Sequence, residues 1–189
     1  GGDYTAAIEG MMKDGKALMG VDPRRGLERM EQAYLGYPEA RAPEDEQDLI
    51  EAYLAAERPA AVRRIVMEKR ARAREAPVEL SYFIDAAVTW ADYLFAKGDA
   101  RAAADAYAMA QEAAAEAQQT VTGIKKDIGW AKYQRANALL ELNDFHASLA
   151  LFTEIAASDA PWAKEAAVKA EYARLEQQLR GETPIAQEG

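Results

Sequence analysis

Apolar residues recur at i, i+3 and i+4 through most of the chain, and no run alternates apolar with polar positions as a half-buried strand would. This pattern predicts nine helices separated by short breaks carrying Pro, Gly, Asn or Asp. The first covers about 3–19, with Ile8, Met11, Gly15 and Leu18 on one face, and stops at Gly20-Val21-Asp22-Pro23. Asp22 there is placed to cap the second helix (about 23–36; Leu27, Met30, Tyr34) and Pro23 to open it. The third follows Pro43, with Glu44, Asp45, Glu46 and Asp48 in its first turn, where the helix dipole favours anions. Its apolar face is Leu49, Ile50, Tyr53 and Leu54.

Arg58-Pro59 starts the fourth helix, which holds Val62, Ile65 and Val66 inside. Pro77 opens the fifth, with the stripe Leu80, Ile84, Ala87, Ala91 and Leu94, and Lys97-Gly98-Asp99 ends it. The sixth (about 100–118) buries Ala103, Tyr107, Ala110, Ala114 and Ala117. The seventh runs from near Ile124 to Leu142, and the eighth carries Leu149, Leu151, Phe152 and Ile155. Pro161 begins the ninth, expected to bury Val168, Tyr172, Leu175 and Leu179 while Lys164, Glu165, Lys169, Glu171, Arg174 and Glu176 face water. Loops this short make consecutive helices fold back as antiparallel hairpins.

Aligning the inter-helix turns brings out an internal repeat: Asp22, Arg58, Asp99 and Asp144 lie 36, 41 and 45 residues apart. The clearest unit reads Ala87-x2-Trp90-Ala91-x2-Leu94, Gly98-Asp99, Ala103-x3-Tyr107-x2-Ala110. A second has Ala136-x2-Leu139, Asn143-Asp144-Phe145, Ser148-x3-Phe152-x2-Ile155, and a weaker third has Ala17, Gly26-x3-Met30-x2-Ala33 and Pro38. In such a pattern a small residue on each helix sits where paired backbones touch, and bulky residues fill the space on either side. The arrangement resembles the tetratricopeptide repeat (TPR). Lys132 and Arg135 depart from it, standing where the repeat carries bulky apolar residues, and residues 44–75 fit only as a degenerate hairpin.

The fold class expected from the resemblance is all-α: a right-handed α-α superhelix of about four TPR-like hairpins plus a C-terminal capping helix. It implies one repeat domain over 3–180 and a polar tail over 181–189. The Ser158-x2-Pro161-Trp162-Ala163-x-Glu165-Ala166 junction is similar to junctions in bacterial envelope assembly proteins with these repeats. The chain opens Gly1-Gly2-Asp3, which reads as a trimmed start, and the two features together lean towards the bacterial periplasm over the cytoplasm.

Composition narrows the function. Of 189 residues 43 are Ala, none is Cys and one is His, so thiolate sites, disulfides and His-based metal sites are excluded or nearly so. A net charge of −9 argues against a general nucleic-acid binder, and no apolar run is long enough to span a membrane. Gly10-x4-Gly15-Lys16 spells part of a phosphate loop, but Ala17 replaces the magnesium-binding hydroxyl and no strand precedes it. Glu44-Asp45-Glu46-Gln47-Asp48 lacks the glycine and distal Glu of a calcium loop and reads as a helix start. His146 has no partner set for acid–base work, and neither a carboxylate pair nor a Ser-His-Asp constellation is evident. No catalytic residue, metal or cofactor is therefore expected.

Arg58, Arg63, Arg64, Lys69, Arg70, Arg72 and Arg74 gather on the fourth helix, read as a solvated face with acidic partners on the third. An anionic partner is the other reading.

The resemblance further implies a concave groove lined by first helices. Its residues here would be Asp85, Val88, Asp92 and Phe95 on the fifth helix and Trp130, Tyr133, Asn137 and Leu140 on the seventh. Such a groove suits a protein segment with some positive charge, anchored by the aromatics and by the Asn137 amide. In the competing reading, Trp130 and Tyr133 pack under the N-terminal hairpins or the ninth helix. The expected role is a non-enzymatic adaptor or scaffold for a protein or peptide partner. The alternative is an assembly subunit that self-associates or attaches to an envelope complex, which leaves a homo-oligomer open.

Overall fold

A computed structural model of the chain describes residues 4–38, 42–117 and 120–181. Asp3, Gln118 and residues 182–189, at the margins of the expected first helix, sixth helix and tail, lie outside them. Among the described residues the protein is all-α, with no strand. Its helices are α1 (Tyr4–Leu18), α2 (Pro23–Gly36), α3 (Pro43–Ala55), α4 (Pro59–Glu75), α5 (Leu80–Ala96), α6 (Ala100–Glu116), α7 (Ile128–Glu141), α8 (Phe145–Ala156) and α9 (Ala163–Leu179). A short 3-10 turn, Pro77–Glu79, leads into α5. No helix is long and apolar enough to cross a membrane among these residues.

Three turns are built alike. Glu57, Gly98 and Asn143 adopt left-handed φ of 56°, 87° and 60°. Each donates its N–H to the carbonyl three residues back, and the residue after it donates to the carbonyl five back, to Tyr53, Leu94 and Leu139 in turn. This closes the last carbonyls of α3, α5 and α7 and reverses the chain. Asp99 and Asp144 then cap the next helix, accepting the N–H of Ala102 and Ala147 at 3.1 and 3.2 Å. Asp22 caps α2 the same way, on Arg25. α9 ends in the first half of the same turn, with Gly181 at φ 69° and its N–H on the Gln178 carbonyl.

α7 begins later than its periodicity suggests. Asp127 accepts the Trp130 N–H at 3.1 Å, which fixes the helix start at Ile128, and Gly123 is left-handed at φ 83°. α6 likewise stops at Glu116, and Ala117 turns to extended backbone.

The chain forms two compact units. One comprises Gly1–Trp90 with Val121–Ile124, the other Ala91–Thr120 with Lys125–Gly189. In the first, α1 packs on α2, α2 on α3 and α3 on α4. α1 turns Met12 inward with Ile8 and Gly15, and leaves Met11 half-buried. Lys69, expected in water, is only 1% exposed. Its ammonium lies 3.2 Å from Glu46, which also accepts from Tyr34 Oη at 2.8 Å and, with both carboxylate oxygens, from Arg72 Nη2 at 2.8 and 2.9 Å. One buried carboxylate thus ties α2, α3 and α4 together. Burial by itself would raise the Glu46 pKa, but Lys69, Tyr34 and Arg72 outweigh it and hold the carboxyl below its ordinary value.

In the second unit α6 packs on α7, α7 on α8 and α8 on α9. Tyr133, Ala136, Phe152, Ile155 and Ala166 form one core cluster, and Ala100, Ala104, Ala138 and Leu139 another. The two charged residues that break the repeat pattern are accommodated by partners. Lys132 pairs with Glu154 at 2.5 Å, and Arg135 donates to Gln111 at 3.1 Å.

Candidate functional site

The eight residues expected along the groove have separate fates. Asp85 and Val88 belong to the first unit and are 7% and 1% exposed. The other six lie in the second. Asp92 accepts a 2.5 Å hydrogen bond from Tyr107 Oη. Burial first, then this bond, pushes the Tyr107 phenol well above its ordinary value. Phe95 stands edge-on to the same Tyr107 ring at 6.5 Å and packs on the Ala100 cluster. Leu140 lies against the Tyr133 cluster.

Trp130, Tyr133 and Asn137 come together, and α9 joins them. Trp130 lies 5.6 Å from Tyr133 and 5.3 Å from Trp162, and Tyr133 stacks on Trp162 at 5.9 Å. The Lys169 ammonium donates to Tyr133 Oη and to Asn137 Oδ1, both at 2.8 Å. It also sits 4.7 Å from the Tyr133 ring centre and 5.9 Å from that of Phe152. A cation over an aromatic face with two oxygen acceptors is well satisfied. The Tyr133 anchor and the Asn137 amide are thus already engaged by a cation of the chain's own α9. Trp130 keeps 38% of its surface exposed.

The expected orientation of α9 is overturned. Val168, Tyr172, Leu175 and Leu179 are 71%, 50%, 44% and 80% exposed, while Ala166, Ala173 and Gln177 are buried. Trp162 anchors the start of the helix in the aromatic cluster, and Trp162, Ala166, Lys169, Ala170, Ala173 and Gln177 then follow one another along a single face. The alanines let the α8 and α9 backbones approach, and Lys169 is pulled in by its acceptors. The large apolar row is left outward, touching the rest of the unit through Tyr172, whose ring stands edge-on to Phe145 at 6.4 Å.

The shared turns give these positions a common count. Trp130 precedes the left-handed Asn143 by 13 residues, and Val168 precedes the left-handed Gly181 by the same 13. Asn137 and Leu175 each stand six before theirs. Two of the four outward residues of α9 thus share the positions of Trp130 and Asn137, while Tyr172 and Leu179 are each one position off Tyr133 and Leu140, and Lys169 fastens α9 beside α7. Trp162, Lys169 and the α9 row were missed as site residues. The available signal was the Gly181 stop, which matches Gly98 in its turn.

Among the described residues no group of three or more His, Cys, Asp or Glu side chains converges to hold a metal ion. No family model, curated protein or solved structure matches the chain.

Proposed function

We propose that this chain is a non-enzymatic protein-interaction module of TPR-like hairpins, whose binding surface is the outward row of α9 together with Trp130. The carrying observation is that row: four large apolar side chains exposed at 4-3-4 spacing on a helix whose other face is already packed. A patch of this kind is a partner site more often than an accident of folding. The repeated left-handed turns at Glu57, Gly98 and Asn143 support the repeat reading, as does the small-residue crossing of α1 and α2 at Gly15 and Gly26.

The partner this surface suits is a protein segment that presents an apolar ridge, such as one face of an amphipathic helix. α9 is held by Trp162 and Lys169, so docking proceeds on a preformed surface with little backbone change. The sequence-based expectation of a cationic ligand is replaced, because Lys169 fills that role internally. The row also supports the second reading, in which a second copy covers it and the chain is an assembly subunit.

The test uses Val168→Glu with Leu175→Glu, and Trp130→Ala separately, with helical circular dichroism to check the fold. Wild type retains a stoichiometric partner that both variants lose. A concentration-dependent dimer dissolved by the glutamates would transfer the role to assembly. Identical solution mass and identical retained proteins for folded variants and wild type would remove the proposal.

A further inference from the structure

Five polar side chains of the second unit hydrogen-bond in series across four helices. Lys169 of α9 donates to Asn137 Oδ1 of α7 at 2.8 Å, and Asn137 Nδ2 donates to Gln134 Oε1, one turn back, at 2.9 Å. Gln134 hydrogen-bonds Tyr107 of α6, donating to the phenol oxygen and so favouring its ionised form. Tyr107 donates in turn to Asp92 Oδ1 of α5 at 2.5 Å. Tyr107 is fully buried and the other four are half-buried. α8 contributes no hydrogen bond to the series.

The two ends fix the direction of every bond. An ammonium only donates and a carboxylate only accepts, whereas a phenol and a side-chain amide do both. Beside Lys169, Asn137 must turn its oxygen to the ammonium and its NH2 to Gln134, which must then turn its own NH2 to Tyr107. Beside Asp92, Tyr107 must give its proton to the carboxylate and accept from Gln134. The two requirements agree, so the cation and the anion order the three neutral groups between them in one sense, and each bond polarises the next. Without the Asp92 acceptor the Tyr107 proton turns to the Gln134 amide oxygen. Gln134 rotated to receive it offers NH2 to Asn137, which rotates in turn and sets its own NH2 against Lys169. A defect at α5 thus arrives at α9 as a repelled ammonium.

We infer that these side chains form a conformational latch, in which Asp92 on α5, acting through Tyr107, Gln134 and Asn137, controls how firmly Lys169 seats α9. Asp92, Tyr107 and Gln134 are positioning residues, and none of them touches α9's lysine directly. Lys169 also holds Tyr133 Oη and the rings of Tyr133 and Phe152, so losing the series loosens α9 without detaching it. By linkage, whatever steadies α9 steadies the Tyr107–Asp92 bond by the same free energy. The consequence for binding rests on the proposed role of the α9 row, whereas the latch itself does not.

The experiment follows the Lys169 ammonium and Asn137 side-chain amide signals of the whole chain by nuclear magnetic resonance, with amide exchange in α9 measured against α8. Asp92→Leu and Tyr107→Phe, each checked for helix by circular dichroism, shift both signals and speed α9 exchange over that of α8 by about fivefold, the worth of one hydrogen bond. Asp92→Asn, which keeps an acceptor for Tyr107, restores most of the difference. Gln111→Leu removes the Arg135 bond between α6 and α7, outside the series, and leaves Lys169 and α9 unmoved. Should the variants at Asp92 and Tyr107 lose helix, Gln134→Leu breaks the series at its half-buried middle and is read at Lys169 and α9 instead. Lys169 signals and α9 exchange that ignore these substitutions overturn the inference. Equal acceleration of α8 and α9 overturns it too, as general loosening, and so does a response to Gln111→Leu as large as that to Tyr107→Phe. None of these readouts involves a partner, so a failed latch leaves the α9 row standing and a failed row leaves the latch.

Discussion

Gly15 of α1 and Gly26 of α2 face each other where the two helices cross, and neither has room for a side chain. A Cβ on Gly26 would stand 2.7 Å from the Gly15 carbonyl oxygen, and one on Gly15 would stand 2.9 Å from the Gly26 carbonyl oxygen. Backbone on both sides leaves nothing flexible to yield. Gly26→Ala is therefore expected to destabilise the first unit by about 1–3 kcal/mol despite its better helix propensity. Gly10→Ala, with open space around its Cβ position, should be neutral or stabilising. Denaturant melts of the two variants decide the point, and equal stability would refute the tight crossing.

What the sequence made legible was local chemistry. Asp22 caps α2 as read, and Asp99 and Asp144, read as turn residues, cap α6 and α8 in the same way, because an N-cap needs only its own next three residues. Of the small residues in the repeat pattern Gly26 and Ala136 are buried, but Ala17 is exposed, and Gly15 takes the buried place on α1. The failures are tertiary. α9 offered an apolar row and an alanine row, and bulk favours burying the first. Trp162 and Lys169 decided otherwise, through partners 17 to 36 residues away. Asn137 was read as open, and of the two readings of Tyr133 the one that packs it under the ninth helix is the one observed; nothing near either residue in sequence announces Lys169. Glu46, taken as one of several helix-start acids, is the one that turns inward to a lysine and an arginine 23 and 26 residues on.

The Glu46 site gives a pH prediction. Its carboxyl titrates below the ordinary value of 4.5 in the folded protein. The unfolded chain therefore takes up the proton first as pH falls. The stabilisation is present above about pH 4.5 and is lost as pH drops through the lowered folded value. Glu46→Gln leaves Lys69 buried without its counter-charge and should cost about 3–5 kcal/mol at neutral pH. It should also flatten the acid limb of the stability curve. Thermal melts between pH 7 and pH 3 test both, and an unchanged acid limb in the variant would exclude Glu46 as its source.

The Glu57 turn gives a prediction of opposite sign. A non-glycine residue with φ of 56° sits where L side chains crowd the backbone, whereas the equivalent turn after α5 uses Gly98. Glu57→Gly is expected to stabilise the protein by roughly 0.5–1 kcal/mol, the relief of strain exceeding the entropy glycine adds to the unfolded chain. Asn143→Gly should change less, since Asn tolerates this region. A lower melting temperature for Glu57→Gly would show that the Glu57 side chain matters more than its backbone.

Lys169 tests the attachment of α9. Lys169→Met keeps the aliphatic packing but strips Tyr133 Oη and Asn137 Oδ1 of their shared donor. The expected loss is about 1–3 kcal/mol. Amide exchange should accelerate in α9 more than in α6, because the contact being lost is the tie from α9 to α7. Uniform acceleration across the second unit would instead mean that α9 and the remaining helices open together.

Tyr53 and Tyr107 carry the alkaline behaviour. Burial, followed by the hydrogen bond to Glu31 at 2.9 Å, pushes the Tyr53 phenol up to about 12. Burial and the bond to Asp92 raise Tyr107 further in the same direction. In the unfolded chain both ionise near the ordinary 10. Their contribution to stability is complete below pH 10 and erodes as pH climbs towards the folded values. A phenolate absorbance titration should show a late component, from Tyr53 and Tyr107, coincident with loss of helix. Tyr107→Phe removes part of the late component and flattens the alkaline limb of the stability curve, because one proton fewer is released on unfolding. If all nine tyrosines titrate together while the helices remain intact, the Tyr107–Asp92 bond is not holding its proton.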